Sequence, residues 1–216
     1  MEQQEKELRE TLVESSLELE RLGLNRGTSG NLSVRCGTGL LVTPSGLSPA
    51  EMTPDSMVHL GADGAWRGAM KPSSEWRFHR GIVEARSDVA AVVHTHSEYA
   101  TALACQRRSI PAFHYMVAIA GGVDIRCAPY ASFGSERLAE LAVAALEGRK
   151  ACLLANHGLI ATGSSLAAAV SLAAEIEALA KQYVQLLQMG GPVLLTDEEM
   201  ADVLQRFASY GAAPRG

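Results

Sequence analysis

Hydrophobic and polar residues follow two different periods along the chain, and the change of period separates helices from strands. Hydrophobic positions at helical spacing predict an amphipathic helix over about residues 4 to 23, which Gly23 and Gly27 end. Two pairs of short runs with strand spacing follow, at residues 32–35 with 40–43 and residues 57–60 with 65–67. The first part of the chain is therefore predicted to form one helix and two β-hairpins.

The rest of the chain alternates between apolar strands and helices. The predicted elements are a helix over 73–85, a strand over 88–94, a helix from about 98, a strand near 125–129, a helix over 135–146, a hairpin around 157, a helix over 165–188 and a last helix after 196. Thr196 and Glu199 form a capping box at the start of that last helix.

The connections between the strands indicate the fold class. Because the strands are joined mainly by hairpins, we expect an α/β fold of the α+β type, with a central mixed, largely antiparallel sheet covered by helices. No linker, internal repeat or low-complexity stretch divides the chain, so residues 1–216 are expected to form a single domain.

Composition narrows the classes of function. The chain is 47% hydrophobic, so it can bury a sizeable core, and its 19 basic against 24 acidic residues give a net charge of −5. There is no basic run, so we expect no nucleic-acid partner. The charged N-terminus lacks an apolar signal core, and charged residues interrupt the longest apolar helix, so neither secretion nor membrane spanning is expected. The 4 cysteines show no CxxC spacing, which favours a reducing cytoplasm.

Three histidines stand at the ends of apolar runs. His94 and His96 form a His-Thr-His sequence, and residues two apart on a strand point to the same side. His157 ends a second apolar run, so a neighbouring strand can bring it to the same ion. Three imidazoles with an open position are typical of a catalytic zinc site. The alternative is a histidine pair that only lines a polar pocket. A surface or packing role is expected for the remaining histidines, His59, His79 and His114.

Three segments rich in glycine and hydroxyl groups can bind an anion without a basic patch. They are residues 27–31, residues 43–46 and the pair Ser73-Ser74 at a predicted helix N-terminus. Ordinary turn chemistry is the alternative for each segment taken alone. Glu75 follows the serines, and it is either a first-turn carboxylate favoured by the helix dipole or a general base beside the metal.

Longer motifs carry a resemblance to a known family. They are GTSGNLSVR, LLVTPSG, KPSSEWRFHRG, DVAAVVHTHSEYATALA, RSIPAFHYMVAIAGG, CAPYASFG and ANHGLIATG. In this order they resemble the class II aldolase/adducin family, and the similarity extends from about residue 20 to the C-terminal helix.

The resemblance implies a role for each candidate residue. It implies one Zn²⁺ per chain held by His94, His96 and His157, with Glu75 as the acid/base residue. It implies Tyr115 as a proton donor across the interface of a homotetramer with shared active sites. The residues implied to hold the phosphate of dihydroxyacetone phosphate are Thr28, Gly30, Asn31, Ser45, Gly46, Ser73 and Ser74. Tyr210, in the C-terminal tail, is a further candidate on the aldehyde side.

The implied reaction is reversible retro-aldol cleavage of a ketose 1-phosphate. L-fuculose 1-phosphate, giving L-lactaldehyde, is the first expected substrate, and a 5-deoxypentulose 1-phosphate is the alternative. An epimerase or decarboxylase on the same scaffold is also possible, although Glu75 stands where the epimerase motif has an aspartate. A non-catalytic adducin-like interaction module is the alternative from another class. The presence of all three histidines, Glu75 and Tyr115 argues against it.

Overall fold

The computed structural model describes residues 2–209. Its helices are α1 Glu2–Arg21, α2 Trp76–Ala85, α3 Glu98–Cys105, α4 Glu136–Ala145, α5 Leu166–Gln188 and α6 Asp197–Ser209. Its strands are β1 Asn31–Cys36, β2 Gly39–Val42, β3 Val58–Leu60, β4 Trp66–Arg67, β5 Ala91–Thr95, β6 Arg126–Ala128, β7 Ala151–Leu154 and β8 Gly158–Gly163. The elements predicted from the sequence are all present with small shifts at their ends. Short 3-10 helices at Pro49–Glu51, Pro54–Ser56 and Tyr115–Ala120 were not predicted.

The eight strands form one sheet in the order β4-β3-β2-β1-β5-β8-β7-β6. All neighbouring pairs are antiparallel except β6 and β7. These two strands are connected through α4, and a crossover of this kind is what a parallel pair requires. The prediction of a mixed, largely antiparallel sheet is confirmed.

Helices cover both faces of the sheet. Side chains alternate between the faces along each strand, so Val93 of β5 packs in one cluster with apolar residues of α1, α3 and α5, whereas Val92 packs with those of α2 and α4. Both valines are fully buried. Within residues 2–209, no helix combines the length and hydropathy that crossing a bilayer requires.

Strand register brings three distant segments to the same end of the sheet. Asn31, the first residue of β1, lies opposite His94 of β5, and His94 in turn lies opposite Ile160 of β8. His157 lies in the tight turn between β7 and β8, next to Asn156, whose φ of 55° is in the left-handed region that asparagine tolerates better than most residues. The register therefore places Asn31, His94 and His157 side by side.

The last helix begins as predicted. The backbone N–H of Thr196 donates to Glu199 Oε2 at 2.7 Å, and the backbone N–H of Glu199 donates to Thr196 Oγ1 at 3.2 Å. The capping box is therefore confirmed. Tyr210 lies outside the described residues.

Candidate active site

Three histidines and one glutamate converge at this end of the sheet. His94 Nε2 lies 3.0 Å from His96 Nε2 and 3.2 Å from Glu75 Oε2, and His157 Nε2 lies 3.2 Å from Glu75 Oε1. The four ligand atoms lie within 4.8 Å of one another. Imidazole nitrogens with a carboxylate oxygen are ligands that divalent transition metals prefer.

The surroundings of the histidines also fit a metal ion. His94 Nδ1 lies 2.9 Å from the carbonyl oxygen of Leu159, so it donates there and directs Nε2 at the cluster. Burial, and after it the charge of His94, lower the pKa of His96 and of His157 to about 4. Both rings are therefore neutral at pH 7, which is the protonation state that a metal ligand needs.

Glu75 faces this cluster rather than the helix that follows it. It is the residue before α2 and makes no side-chain capping hydrogen bond; its two oxygens instead contact His94 and His157. Asn31 Nδ2 donates to Glu75 Oε2 at 3.1 Å, whereas the buried Oε1 accepts no hydrogen bond from the described residues. Burial raises the pKa of Glu75, but the hydrogen bond and charge of His94, with smaller contributions from His157 and Asn31, outweigh it and lower that pKa to about 2. The carboxylate is therefore ionised at neutral pH and can accept a proton.

A cavity of about 350 Å³ opens directly onto the cluster. Glu75, His96 and His157 contribute to its wall. The residues predicted to bind phosphate all line the same cavity: Thr28, Gly30, Asn31, Ser45, Gly46, Ser73 and Ser74. Its described lining contains no lysine or arginine, so an anion would meet neutral donors and the N-terminus of α2.

Two glycines shape the loops of this wall. Gly30 and Gly46 have φ values of 79° and 75°, a backbone region that favours glycine. A Cβ atom at Gly30 would also overlap the side chain of Asn25, whose Oδ1 accepts the backbone N–H of His96 at 3.3 Å. Gly30 therefore lets the loop of residues 27–31 lie close to the segment that carries His96.

Tyr115 lies away from the cavity of its own chain. It begins the 3-10 helix Tyr115–Ala120, its ring stacks on His114, and 52% of its surface is exposed. It is absent from the described residues that line the cavity. Any part that Tyr115 takes in the reaction must therefore come from contact with another subunit or from a movement of this segment.

The aromatic edge of the cavity was not predicted from the sequence. Tyr130 and Phe133 lie in the loop between β6 and α4, line the cavity and are 56% and 72% exposed. Arg77 holds this loop by donating to the carbonyl oxygen of Gly134 at 3.1 Å. Two large aromatic residues in a loop of small and polar residues were the available signal.

The surroundings of His79 were also not predicted from the sequence. A surface or packing role was expected, and the ring is indeed fully buried, but it also forms hydrogen bonds with Ser33 and Asn31. It lies four residues after Glu75, at the spacing that puts two positions on the same side of a helix, and that spacing was the available signal. For His114, Nδ1 accepts the backbone N–H of Met116, which agrees with a structural role.

Comparison with known proteins agrees with this fold. Residues 10–184 match the model of the Class II Aldolase and Adducin N-terminal domain. The chain therefore belongs to the class II aldolase and adducin family, and it is a class II aldolase, a carbon-carbon lyase whose class depends on a metal.

Individual relatives are similar over almost the whole chain. A 5-methylthioribulose-1-phosphate/5-deoxyribulose-1-phosphate aldolase of Rhodospirillum rubrum is 56% identical over 204 residues, covering 94% of this chain and 92% of that protein. An L-fuculose phosphate aldolase of Escherichia coli (strain K12) is 47% identical, covering 93% and 94%. A solved structure of an L-fuculose 1-phosphate aldolase is 40% identical, with a TM-score of 0.91 and coverage of 94% and 96%.

Proposed function

We propose that the protein reversibly cleaves a ketose 1-phosphate to dihydroxyacetone phosphate and an aldehyde. The observation that carries the proposal is one cavity that joins a Glu/His₃ cluster to a wall of neutral phosphate-binding groups. Its volume of about 350 Å³ suits a small sugar phosphate.

The phosphate would bind to the wall formed by the three polar loops. Thr28, Ser45, Ser73 and Ser74 offer hydroxyl donors, and the N-terminus of α2 adds the favourable end of the helix dipole. The Asn31 side chain is already bonded to Glu75 and His79, so it has one amide hydrogen left for a ligand. The phosphate would therefore be held mainly by hydroxyl groups and backbone amides.

The cluster would carry the chemistry. His94, His96 and His157 would hold one Zn²⁺, which supplies Lewis-acid polarisation of the substrate oxygens when bound. In the synthetic direction Glu75 would remove a proton from the hydroxymethyl carbon of dihydroxyacetone phosphate, and Oε1, which accepts no hydrogen bond from the described residues, is the oxygen that would accept it. In the cleavage direction Glu75 would return that proton to the same carbon.

The aldehyde half would require a second subunit. Because Tyr115 is exposed and lies outside the cavity of its own chain, we propose that it enters the site of a neighbour in a homotetramer and protonates the aldehyde oxygen. All 4 cysteines are unpaired thiols, which suits the reducing cytoplasm that we propose as the location.

The aromatic edge favours an apolar aldehyde. Tyr130, Ala131 and Phe133 line the cavity, and a methyl or methylthio group of the substrate would gain from contact with this apolar surface. We therefore place 5-methylthioribulose 1-phosphate and 5-deoxyribulose 1-phosphate first and L-fuculose 1-phosphate second. This order reverses the expectation from the sequence, and the names of the Rhodospirillum rubrum and Escherichia coli relatives support both candidates.

A panel of phosphorylated sugars tests the proposal. The panel contains the three ketose 1-phosphates and a pentulose 5-phosphate, scored for dihydroxyacetone phosphate by a coupled reduction and for epimerised or decarboxylated product by chromatography. We expect the highest kcat/KM for the two 5-deoxypentulose substrates. A higher value for L-fuculose 1-phosphate would reverse the substrate order, and epimerisation or decarboxylation without cleavage would contradict the aldolase proposal.

Two controls separate catalysis from contamination and from a non-catalytic module. Chelator-stripped protein and the Glu75→Gln variant should both be inactive on the best substrate of the panel. Adding Zn²⁺ should restore the first and not the second. If zinc-loaded protein cleaves no substrate of the panel, the proposed substrate class is wrong.

A further inference from the structure

A line of buried polar side chains runs from the core to the candidate base. Asn31 and Ser33 are two residues apart on β1, so both point towards α2, where His79 lies above them. Ser33 Oγ lies 2.8 Å from His79 Nδ1, and His79 Nε2 lies 2.5 Å from Asn31 Oδ1. Asn31 Nδ2 continues the line to Glu75 Oε2 at 3.1 Å. At most 7% of any of these residues is exposed.

Hydrogen-bond chemistry fixes the direction of this line. A carboxylate oxygen can only accept, so the amide group of Asn31 must face Glu75 and its carbonyl oxygen must face His79. That carbonyl oxygen can only accept, so His79 must carry its hydrogen on Nε2. The uncharged ring then has a bare Nδ1, to which the Ser33 hydroxyl donates. Each donor therefore points towards Glu75.

We infer that His79, oriented by Ser33, is a positioning residue that fixes the Asn31 amide and through it the proton-accepting carboxylate of Glu75. The inference rests on the proposed function for the role of Glu75. His79 touches neither the cavity nor the four ligand atoms, so it acts only through Asn31. Without the donor at His79 Nε2, the Asn31 amide can rotate and direct its oxygen at the carboxylate, which would repel it.

The line also leaves the two oxygens of Glu75 in different states. Each oxygen lies 3.2 Å from a histidine Nε2, but only Oε2 also accepts from Asn31, whereas Oε1 accepts no hydrogen bond from the described residues. A carboxylate held by one oxygen presents the other in a fixed direction. Misplacing a catalytic group by about 1 Å can cost on the order of 100-fold in rate, so this orientation matters for the proton step.

Two substitutions at His79 separate positioning from packing. His79→Gln keeps a donor for Asn31, whereas His79→Phe keeps a ring of similar size beside Phe78 and removes the donor. Ile82→Val, one turn further along α2 and fully buried, is the matched control for a small packing defect away from this line. The assay is exchange of the hydroxymethyl proton of dihydroxyacetone phosphate with deuterated water, which requires no aldehyde.

We expect a change in turnover without a change in binding. His79→Phe should lower kcat for proton exchange by roughly 10- to 100-fold and leave KM within about twofold of the wild-type value. His79→Gln should retain most of the wild-type kcat, and Ile82→Val should match the wild type. In an Asn31→Ala background, His79→Phe should cause no further loss, because both changes break the same line. Metal content should stay the same in all variants.

The tautomer of His79 provides a readout that does not depend on activity. Long-range ¹H–¹⁵N NMR of histidine-labelled protein, assigned by the signals lost in His79→Gln, should show the hydrogen on Nε2. A hydrogen on Nδ1 would overturn the inference, and so would equal rates of proton exchange in the wild type and in folded His79→Phe. If His79→Phe does not fold, the inference is overturned either by a hydrogen on Nδ1 or by a His79→Gln variant that loses most of its activity. A wild-type enzyme without any exchange would instead overturn the proposed function.

Discussion

Acid sensitivity of folding follows from the burial of His79. Burial, and after it the charge of His94, lower the pKa of His79 from 6.5 to about 3 in the folded protein. The unfolded chain therefore binds a proton at this position as the pH falls below 6.5, and the folded chain does not. The stabilisation is complete above pH 6.5 and is lost progressively as the pH falls towards 3.

The size of the effect can be worked out from these two values. Between pH 7 and pH 4.5, protonation of His79 stabilises the unfolded state by the equivalent of almost two pH units, at about 1.36 kcal/mol per unit. The free energy of unfolding therefore falls by about 2.5 kcal/mol. Neither His79→Gln nor His79→Phe can titrate, so both should lack this part of the pH dependence. The two variants should differ in absolute stability, because only Gln retains a donor for Asn31.

Urea unfolding at several pH values measures the difference. The protein is kept in chelator and at one concentration, so that metal release and subunit dissociation do not vary between samples. The wild-type free energy of unfolding should fall about 2.5 kcal/mol more than that of either variant between pH 7 and 4.5. Parallel curves for the wild type and both variants would refute the reasoning, because His79 would then titrate equally in both states.

Further substitutions test the proposed roles. Glu75→Gln should slow proton exchange of dihydroxyacetone phosphate by about 10²- to 10⁴-fold with normal metal content, and unchanged exchange would remove Glu75 from the mechanism. Elemental analysis should find about one metal ion per chain in the wild type and fewer in His157→Ala; an unchanged metal content would exclude His157 as a ligand. Tyr115→Phe should catalyse proton exchange normally but cleave the substrate poorly, and mixing this variant with Glu75→Gln should partly restore cleavage. If mass spectrometry shows complete exchange of subunits and cleavage is not restored, the site is not shared between subunits. Gly30→Ala should lower the free energy of unfolding by about 1–3 kcal/mol in urea titrations, because of its φ of 79° and the overlap with Asn25; equal stability would contradict that strain.

Local patterns predicted the elements and the metal candidates well. The period of two in β5 put His94 and His96 on one side, and the hairpin after Leu154 brought His157 to the same end of the sheet. Loop composition pointed to three polar segments, and each of them contributes residues to the wall of the observed cavity. These features depend on neighbours in sequence, so periodicity and turn chemistry are sufficient to find them.

Features that depend on long-range pairing were not predictable in the same way. The placement of β5 between β1 and β8 puts Asn31 opposite His94, and no local period encodes that register. The hydrogen bonds of His79 follow from the same register, because they need Asn31 and Ser33 beneath α2. Tyr115 and its proposed partner subunit depend on assembly, which a single chain does not encode locally.

The aromatic edge and the Glu/His₃ cluster are carried by different segments of the chain, which meet where Arg77 of α2 donates to the carbonyl oxygen of Gly134. The cluster is fixed by strand register and by the start of α2, whereas Tyr130 and Phe133 lie on the β6–α4 loop. Tyr130 and Phe133 are more than half exposed, so we expect that their side chains can be exchanged without moving His94, His96, His157 or Glu75. Enzymes of this design can acquire a new aldehyde preference through a few loop mutations while their proton chemistry stays intact. Saturation of positions 130 and 133 would therefore test whether the aldehyde preference can change while proton exchange of dihydroxyacetone phosphate stays intact.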